Sequence, residues 1–394
     1  MSNPAPLAGV RVLDLSQIMM GPAATQVLGD FGADVIKVER PNGGDIFRWA
    51  IDDPAGSDHP AFVSLNRNKR SLAIDLRSDD GRAAIGDLAV SCDVVVSNFR
   101  PGVMERMGLG YEQLRERDPG IIVAIGYGFG SEGPYVHKGG QDMLAQAYSG
   151  AMSHLLAEWQ PRVYPISLAD YSTGMHLVQG ILLALLSRAQ TGEGQLIECS
   201  LYDSMLAMQM LESAMVLAGR EPLNWAGLPL NGTFETTDGA VVLVGAFKPN
   251  PLADICAAFG IDDLSQRPEL STMGGQMEQR DFLQETLRTN FASNSTAYWI
   301  EKLEEQDLLC APVRSLDEAL SDRQTEVNEM IVPLAHATQG EMRVIGSPLH
   351  LSGTPPVVER AAPTLGADSD DILTEMGYDT DRIAALREAG VIGG

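Results

Sequence analysis

In the first third of the chain, short apolar runs alternate with stretches of helical period. Residues 10–15, 33–38, 71–76, 93–97 and 121–126 are rich in Val, Ile and Leu and are bounded by glycine or proline, so they read as buried strands. Between several of them, residues 23–31, 80–90 and 111–117 read as helices, the last ending before the Pro119-Gly120 break. This alternation predicts an α/β domain with a largely parallel sheet covered by helices.

Residues 142–156 and 172–189 read as two further helices. The second is apolar nearly all round, which predicts a central, buried helix. A helix over 202–218 leads into a turn-rich stretch. Residues 232–246 then read as a hairpin joined at Thr237-Asp238-Gly239. Helices over 251–259, 280–291 and 296–306 make this middle region a smaller second domain. The tail carries a strand at 342–345, a proline-rich crossing at 353–356 and two short helices after Asp368 and Asp379.

Charge narrows the partners. The 394 residues hold 28 Lys and Arg against 53 Asp and Glu, a formal net charge of −25. Such a surface repels phosphate backbones and anionic lipid heads, so neither nucleic acid nor a membrane surface is expected as a partner. A small anion in a locally basic pocket remains compatible. The N-terminus carries no targeting pattern, and the most apolar run, 181–186, is far too short to span a bilayer. Cys92, Cys199, Cys256 and Cys310 are scattered without paired spacing. They suit a reducing compartment and form neither a zinc site nor a redox pair, so a cytoplasmic protein is expected.

Most standard chemical motifs are missing. Gly128-Phe129-Gly130-Ser131-Glu132-Gly133 matches G-x-G-x-x-G after a strand, but Pro134 and Gly139-Gly140 follow where a helix must open; it reads as a loop. The six histidines show no ligand spacing, and no metal is expected. One carboxylate stands out: Asp170 ends Tyr164-Pro165-Ile166-Ser167-Leu168-Ala169-Asp170, just before the long apolar helix. Two readings stay open at this point. It is either a helix N-cap, or a carboxylate kept ionised by the positive helix end and available as a nucleophile.

The opening Leu7-Ala8-Gly9-Val10-Arg11-Val12-Leu13-Asp14-Leu15, Gly21-Pro22 and Gly29-Asp30-Phe31-Gly32-Ala33-Asp34-Val35-Ile36-Lys37-Val38-Glu39-Arg40-Pro41 resemble the family III CoA-transferases. That family (CaiB/BaiF) contains formyl-CoA transferase, the carnitine CoA-transferases and the α-methylacyl-CoA racemases. The likeness continues through Asn68-Lys69-Arg70-Ser71, Asn98-Phe99-Arg100-Pro101-Gly102, Arg106-Met107-Gly108, Ala169-Asp170 and Cys310-Ala311-Pro312-Val313 into the tail. It covers nearly the whole chain.

The resemblance implies a Rossmann-like large domain built from both chain ends, a smaller α+β domain, and an interlocked, ring-like homodimer. Mapped onto this chain, residues 1–200 form the N-terminal part of the large CoA-binding domain and 201–228 a linker helix. Residues 229–325 form the small domain, and 326–394 the linker and C-terminal return. Asp170 matches the family's catalytic aspartate, which moves CoA from an acyl-CoA to a free carboxylic acid through an aspartyl-acyl anhydride and an aspartyl-CoA thioester. CoA enters as part of a substrate. Its matched contacts are Met19, Met20, Arg40, Ile74, Arg77, Asn98, Phe99, Arg100, Arg106 and the loop from Lys138 to Gln141.

Met19 stands where formyl-CoA transferase has a glutamine, and the stretch 225–232 lacks that enzyme's glycine run; both point away from oxalate and formate. The alternatives within reach are a 2-methylacyl-CoA racemase and a non-catalytic CoA-binding protein. The racemases' catalytic histidine falls at Gln141 and their glutamate at Lys248, which weighs against the first. Retention of Asp170 weighs against the second.

Overall fold

Six parallel strands form the sheet that organises the large unit. They are β1 (Arg11–Asp14), β2 (Asp34–Glu39), β3 (Lys69–Ala73), β4 (Val94–Ser97), β5 (Ile122–Tyr127) and β6 (Leu196–Ser200). Their order is β3-β2-β1-β4-β5-β6, the doubly wound arrangement in which the strand order reverses between β1 and β4. The computed structural model describes residues 4–49, 58–154 and 162–393.

Strand alternation splits the core into two layers. Val12, Val35, Val94, Val96, Ile122 and Ala124 face one side, while Leu13, Ile36, Val95, Val123 and Ile125 face the other. The helices of this unit's N-terminal stretch are α1 (Met20–Asp30), α2 (Pro60–Asn66), α3 (Asp79–Ala89), α4 (Val103–Arg106), α5 (Tyr111–Arg115), α6 (Asp142–Tyr148), α7 (Leu168–Thr191) and α8 (Leu201–Met208). Residues of α1, α6, α7 and α8 pack on the first face; residues of α3, α4 and α5 pack on the second. Burying both faces explains why β1 to β5 read as continuous apolar runs rather than alternating ones.

The C-terminal stretch joins the second face. Asp368 accepts from Ser71 N at 2.8 Å, Ser369 Oγ accepts from Ala73 N at 3.1 Å, and Ile392 bridges to Ile74. Ile372, Leu373, Ile383 and Leu386 complete that core. The chain thereby divides into a unit of residues 1–210 with 324–394 and a second of residues 211–323. The second unit holds an antiparallel sheet of β7 (Asn231–Glu235), β8 (Ala240–Val244) and β9 (Leu309–Pro312), with the expected hairpin between β7 and β8. Phe234, Phe291 and Trp299 sit in its core.

Four expectations change. The helix expected over 202–218 breaks at Gln209 into Leu201–Met208 and Met210–Leu217. The strand β6 does not appear among the apolar runs, because Glu198 and Ser200 interrupt it. The helix expected over 142–156 is regular only to Tyr148; residues 155 and 156 lie outside the described residues. The helix expected over 172–189 is not buried all round. It buries Leu177, Val178, Ile181 and Ala184 but leaves Leu183 and Leu186 at 66% and 63% exposure.

Candidate active site

A doubly wound sheet leaves a crevice beyond the carboxyl ends of its strands where the order reverses. Here that crevice is a cavity of about 470 Å³. The segment after β1 supplies Gln17, Ile18, Met19 and Met20; that after β4 supplies Asn98, Phe99 and Arg100; that after β5 supplies Gly128 to Gly130. Gln17 and Asn98 tie two of these segments together. Gln17 N donates to Asn98 Oδ1 at 3.0 Å, and Asn98 Nδ2 donates to Gln17 O at 2.7 Å.

Four helices begin at the cavity wall, contributing Met20 of α1, Asp142 of α6, Asp170 of α7 and Leu201 of α8. Helix starts carry the positive end of the backbone dipole, which favours negative charge on a substrate or intermediate.

Asp170 occupies the first turn of α7 but is not its cap. The N-cap position is Ser167, whose side chain makes no capping bond. Instead Asp142 Oδ2 accepts from Ala169 N at 2.7 Å and from Asp170 N at 3.1 Å. With the helix end satisfied from outside, the Asp170 carboxylate has no hydrogen-bond partner among the described residues and faces the cavity. The N-cap reading is therefore rejected. The carboxyl is, however, harder to ionise than a solvated aspartate. Burial, and then the nearby Asp142 charge, push the Asp170 pKa up to about 6. At pH 7 it is still ionised by roughly ten to one, and its raised proton affinity accompanies greater basicity.

Asp142 is the residue of this site that sequence reasoning gave no role. Its position opening a helix was visible; its bonds to a turn 27 and 28 residues away were not.

The other expected site residues fall into two neighbouring hollows. Met19, Met20, Asn98, Phe99, Arg100, Lys138 and Gln141 line the cavity with Asp170. Arg40, Ile74 and Arg77 line a second hollow of about 160 Å³, beyond β2 and β3. Gln17 and Phe99 border both. Arg77 is largely exposed and pairs with Asp75 at 2.9 Å, and Arg40 donates to Gly44 O at 3.3 Å. Arg106, on α4, lines neither hollow.

The loop from Gly128 to Gly140 does not open a helix. Gly130 and Gly133 hold φ of +99° and +88°, and a Cβ on Gly128 would collide with the backbone of Gly140. That close approach folds the loop over the cavity. Its Lys138 ammonium lies 5.3 Å and 5.2 Å from the ring centres of Tyr135 and Tyr148, a cation held on an aromatic wall.

Comparison with known proteins identifies the family. A succinyl-CoA:glutarate CoA-transferase of Mus musculus is 34% identical, the match spanning 98% of this chain and 90% of that protein. A formyl-CoA:oxalate CoA-transferase of Rhodopseudomonas palustris (strain TIE-1) is 31% identical over 98% and 96%. A CaiB/BaiF family protein from Brucella suis superposes with a TM-score of 0.84 at 28% identity, covering 95% of this chain and all of that one. The profile of CoA-transferase family III matches residues 7–369, and the chain belongs to that family.

Proposed function

We propose that this enzyme transfers CoA from an acyl-CoA thioester to a free carboxylic acid, with Asp170 as the nucleophile. The observation that carries the reading is the Asp170 carboxylate, unpartnered among the described residues, in a cavity ringed by helix starts at the strand-order reversal. An Asp170 oxygen attacks the thioester carbonyl. A C–O bond forms, the C–S bond breaks, and CoA leaves as a thiolate, giving an aspartyl-acyl anhydride. The thiolate then attacks the Asp170 carbonyl of the anhydride, releasing the donor's free acid and leaving an aspartyl-CoA thioester. An acceptor carboxylate reverses the two steps and departs as the new thioester. An anhydride preserves the activation of a thioester, so no step requires hydrolysis or external energy. The helix starts stabilise the negative charge that moves between sulfur and oxygen.

The acyl end of CoA is assigned to the cavity with Met19, Met20 and Gln141, and its phosphorylated adenosine end to the hollow with Arg40, Ile74 and Arg77. Phe99 lies between with Asn98 beside it in the cavity wall, and Arg100, Arg106 and Lys138 supply further positive charge to an acidic protein. Leu183 and Leu186 on the open face of α7 support burial in a homodimer, of the interlocked kind that the family resemblance implies. Domain limits at 1–200, 201–228, 229–325 and 326–394 go with that assembly. Among the described residues no helix is long and apolar enough to cross a membrane. The four free cysteines support a cytoplasmic setting.

The test is trapping. Incubation with an acyl-CoA donor followed by hydroxylamine should modify Asp170, located by mass spectrometry. Asp170→Ala should keep the fold and bind CoA yet lose transfer; undiminished transfer by that variant rejects the mechanism.

A further inference from the structure

Ile18 holds φ at +69°, a left-handed conformation that a β-branched side chain disfavours sterically. It sits where the chain turns from β1 into α1, immediately before Met19 and Met20, and lines the Asp170 cavity. Something must hold it there. Its N–H donates to both carboxylate oxygens of Asp45, at 3.2 Å each. Asp45 is buried and is itself fixed from three directions. Lys37 Nζ lies 2.8 Å from Asp45 Oδ2, both side chains being fully buried. Phe47 N donates to Asp45 Oδ1 at 3.0 Å, and Asp45 N donates to Glu39 Oε2 at 3.0 Å. The same Lys37 ammonium donates to Ser16 O at 3.0 Å, so one buried cation grips both the turn and the carboxylate that clamps it. Gly21 admits this geometry, since a Cβ there would collide with Ser16.

We propose that Asp45, held by Lys37, is a positioning residue for the transfer reaction: by clamping the Ile18 N–H it enforces the left-handed turn that sets Met19 and the start of α1 in the wall of the Asp170 cavity. This rests on the reading of that cavity as the reaction site. The distinguishing feature is the coupling to Ile18. If Asp45 merely neutralised Lys37, the residue at position 18 would not alter the effect of removing it. If it opposes the steric cost of a positive φ, a glycine, which adopts that φ freely, makes the clamp dispensable.

The experiment is a double-mutant cycle with Asp45→Ala and Ile18→Gly, reading kcat, KM and the Met19 methyl resonance of [methyl-13C]Met protein, assigned through Met19→Leu. Asp45→Ala should lower kcat at least tenfold in the wild-type background and less than threefold in the Ile18→Gly background. KM for the acyl-CoA should change less than kcat. The Met19 resonance should move in Asp45→Ala and return in the double variant. Should Asp45→Ala fail to fold because Lys37 is left uncompensated, Lys37→Met with Asp45→Ala removes both charges together, and the same comparison is made there. Equal losses in both backgrounds, or an unmoved Met19 resonance, would overturn the proposal. A wild-type protein with no transferase activity towards any donor and acceptor would reject the functional reading instead, and the methyl resonance would still decide the role of Asp45.

Discussion

Asp142 caps the helix turn that bears Asp170, through N–H groups at 2.7 and 3.1 Å, and its charge also raises the proton affinity of the Asp170 carboxyl. One carboxylate is spent on architecture so that the other is left free, and the two are close enough to sense each other. This pairing places two acids in one wall with different duties, the arrangement from which tuned acid–base and nucleophilic sites are built.

The first prediction separates those duties. Asp142→Asn keeps an acceptor oxygen for the two N–H groups but removes the charge. The Asp170 carboxyl should then release its proton at lower pH, moving the acid limb of the kcat/KM profile below that of the wild type, which is expected near pH 6. Asp142→Ala should also lose the cap, at a cost of about 0.5–2 kcal/mol in unfolding free energy. An acid limb unmoved by Asp142→Asn would show that the two carboxylates are electrostatically independent.

The second prediction concerns stability. The folded Asp170 carboxyl keeps its proton up to about pH 6, whereas an unfolded aspartate releases it near ~3.9. Between those values the folded chain binds more protons than the unfolded chain, so this residue lowers stability as pH rises through that window. Above it, the ionised, partly buried side chain is a standing cost. Asp170→Asn should therefore be more stable than wild type at pH 7.5, by about 1–3 kcal/mol in unfolding free energy, and by much less at pH 4. Calorimetry at the two pH values checks it; equal shifts would reject the assignment.

How much of this was legible beforehand depended on the range of the interaction. The strands β1 to β5 announce themselves because both faces are buried and their apolar runs end at glycine or proline. The edge strand β6 does not, since Leu196 is exposed and Glu198 breaks the run. The apolar surface of α7 was visible in composition, but a sequence cannot tell a face that packs on its own sheet from one left open, and Leu183 and Leu186 are open. Asp170 was found by position and by family resemblance. Its freedom from capping depends on Asp142, 28 residues earlier, and the turn at Ile18 depends on Asp45, 27 residues later. Neither pairing leaves a periodic trace. The bond between Ser71 and Asp368 spans 297 residues, and only the resemblance pointed to that return.

The third prediction ranks the cations proposed for CoA. Arg40 borders the smaller hollow, while Arg106 lines neither hollow. Arg40→Ala should weaken CoA binding by about 1–3 kcal/mol if its guanidinium makes a charge-assisted bond to a phosphate. The loss should shrink at high salt, because a partly exposed ion pair is screened. Arg106→Ala should cost less. Titration calorimetry at two ionic strengths measures both, and a larger effect at Arg106 would move the phosphate site away from the hollow.

The last prediction separates transfer from racemisation. Inverting a 2-methylacyl-CoA requires one group to remove the α-proton and another to deliver a proton to the opposite face. Asp170 supplies one such group. No histidine is among the described residues lining the cavity. Gln141 stands at the place of the racemases' histidine and is occupied as the cap of α6, its side-chain oxygen accepting from Met143 N at 2.9 Å. A glutamine amide has no group that titrates near neutral pH, so it cannot act as the base. Asp142 is committed to two backbone N–H groups. Lys248, at the place matched to the racemases' glutamate, is paired with Asp254 at 3.0 Å and donates to Gln306 O at 2.6 Å. With Asp170 the one uncommitted acid or base described above, the cavity suits attack on a carbonyl better than inversion, which needs two such groups. In deuterated water without an acceptor acid, 2-methylacyl-CoA esters should therefore keep their α-proton over many transfer turnover times, as read by mass spectrometry. Rapid deuterium incorporation at that carbon, abolished by Asp170→Ala, would assign the same carboxylate to proton abstraction instead.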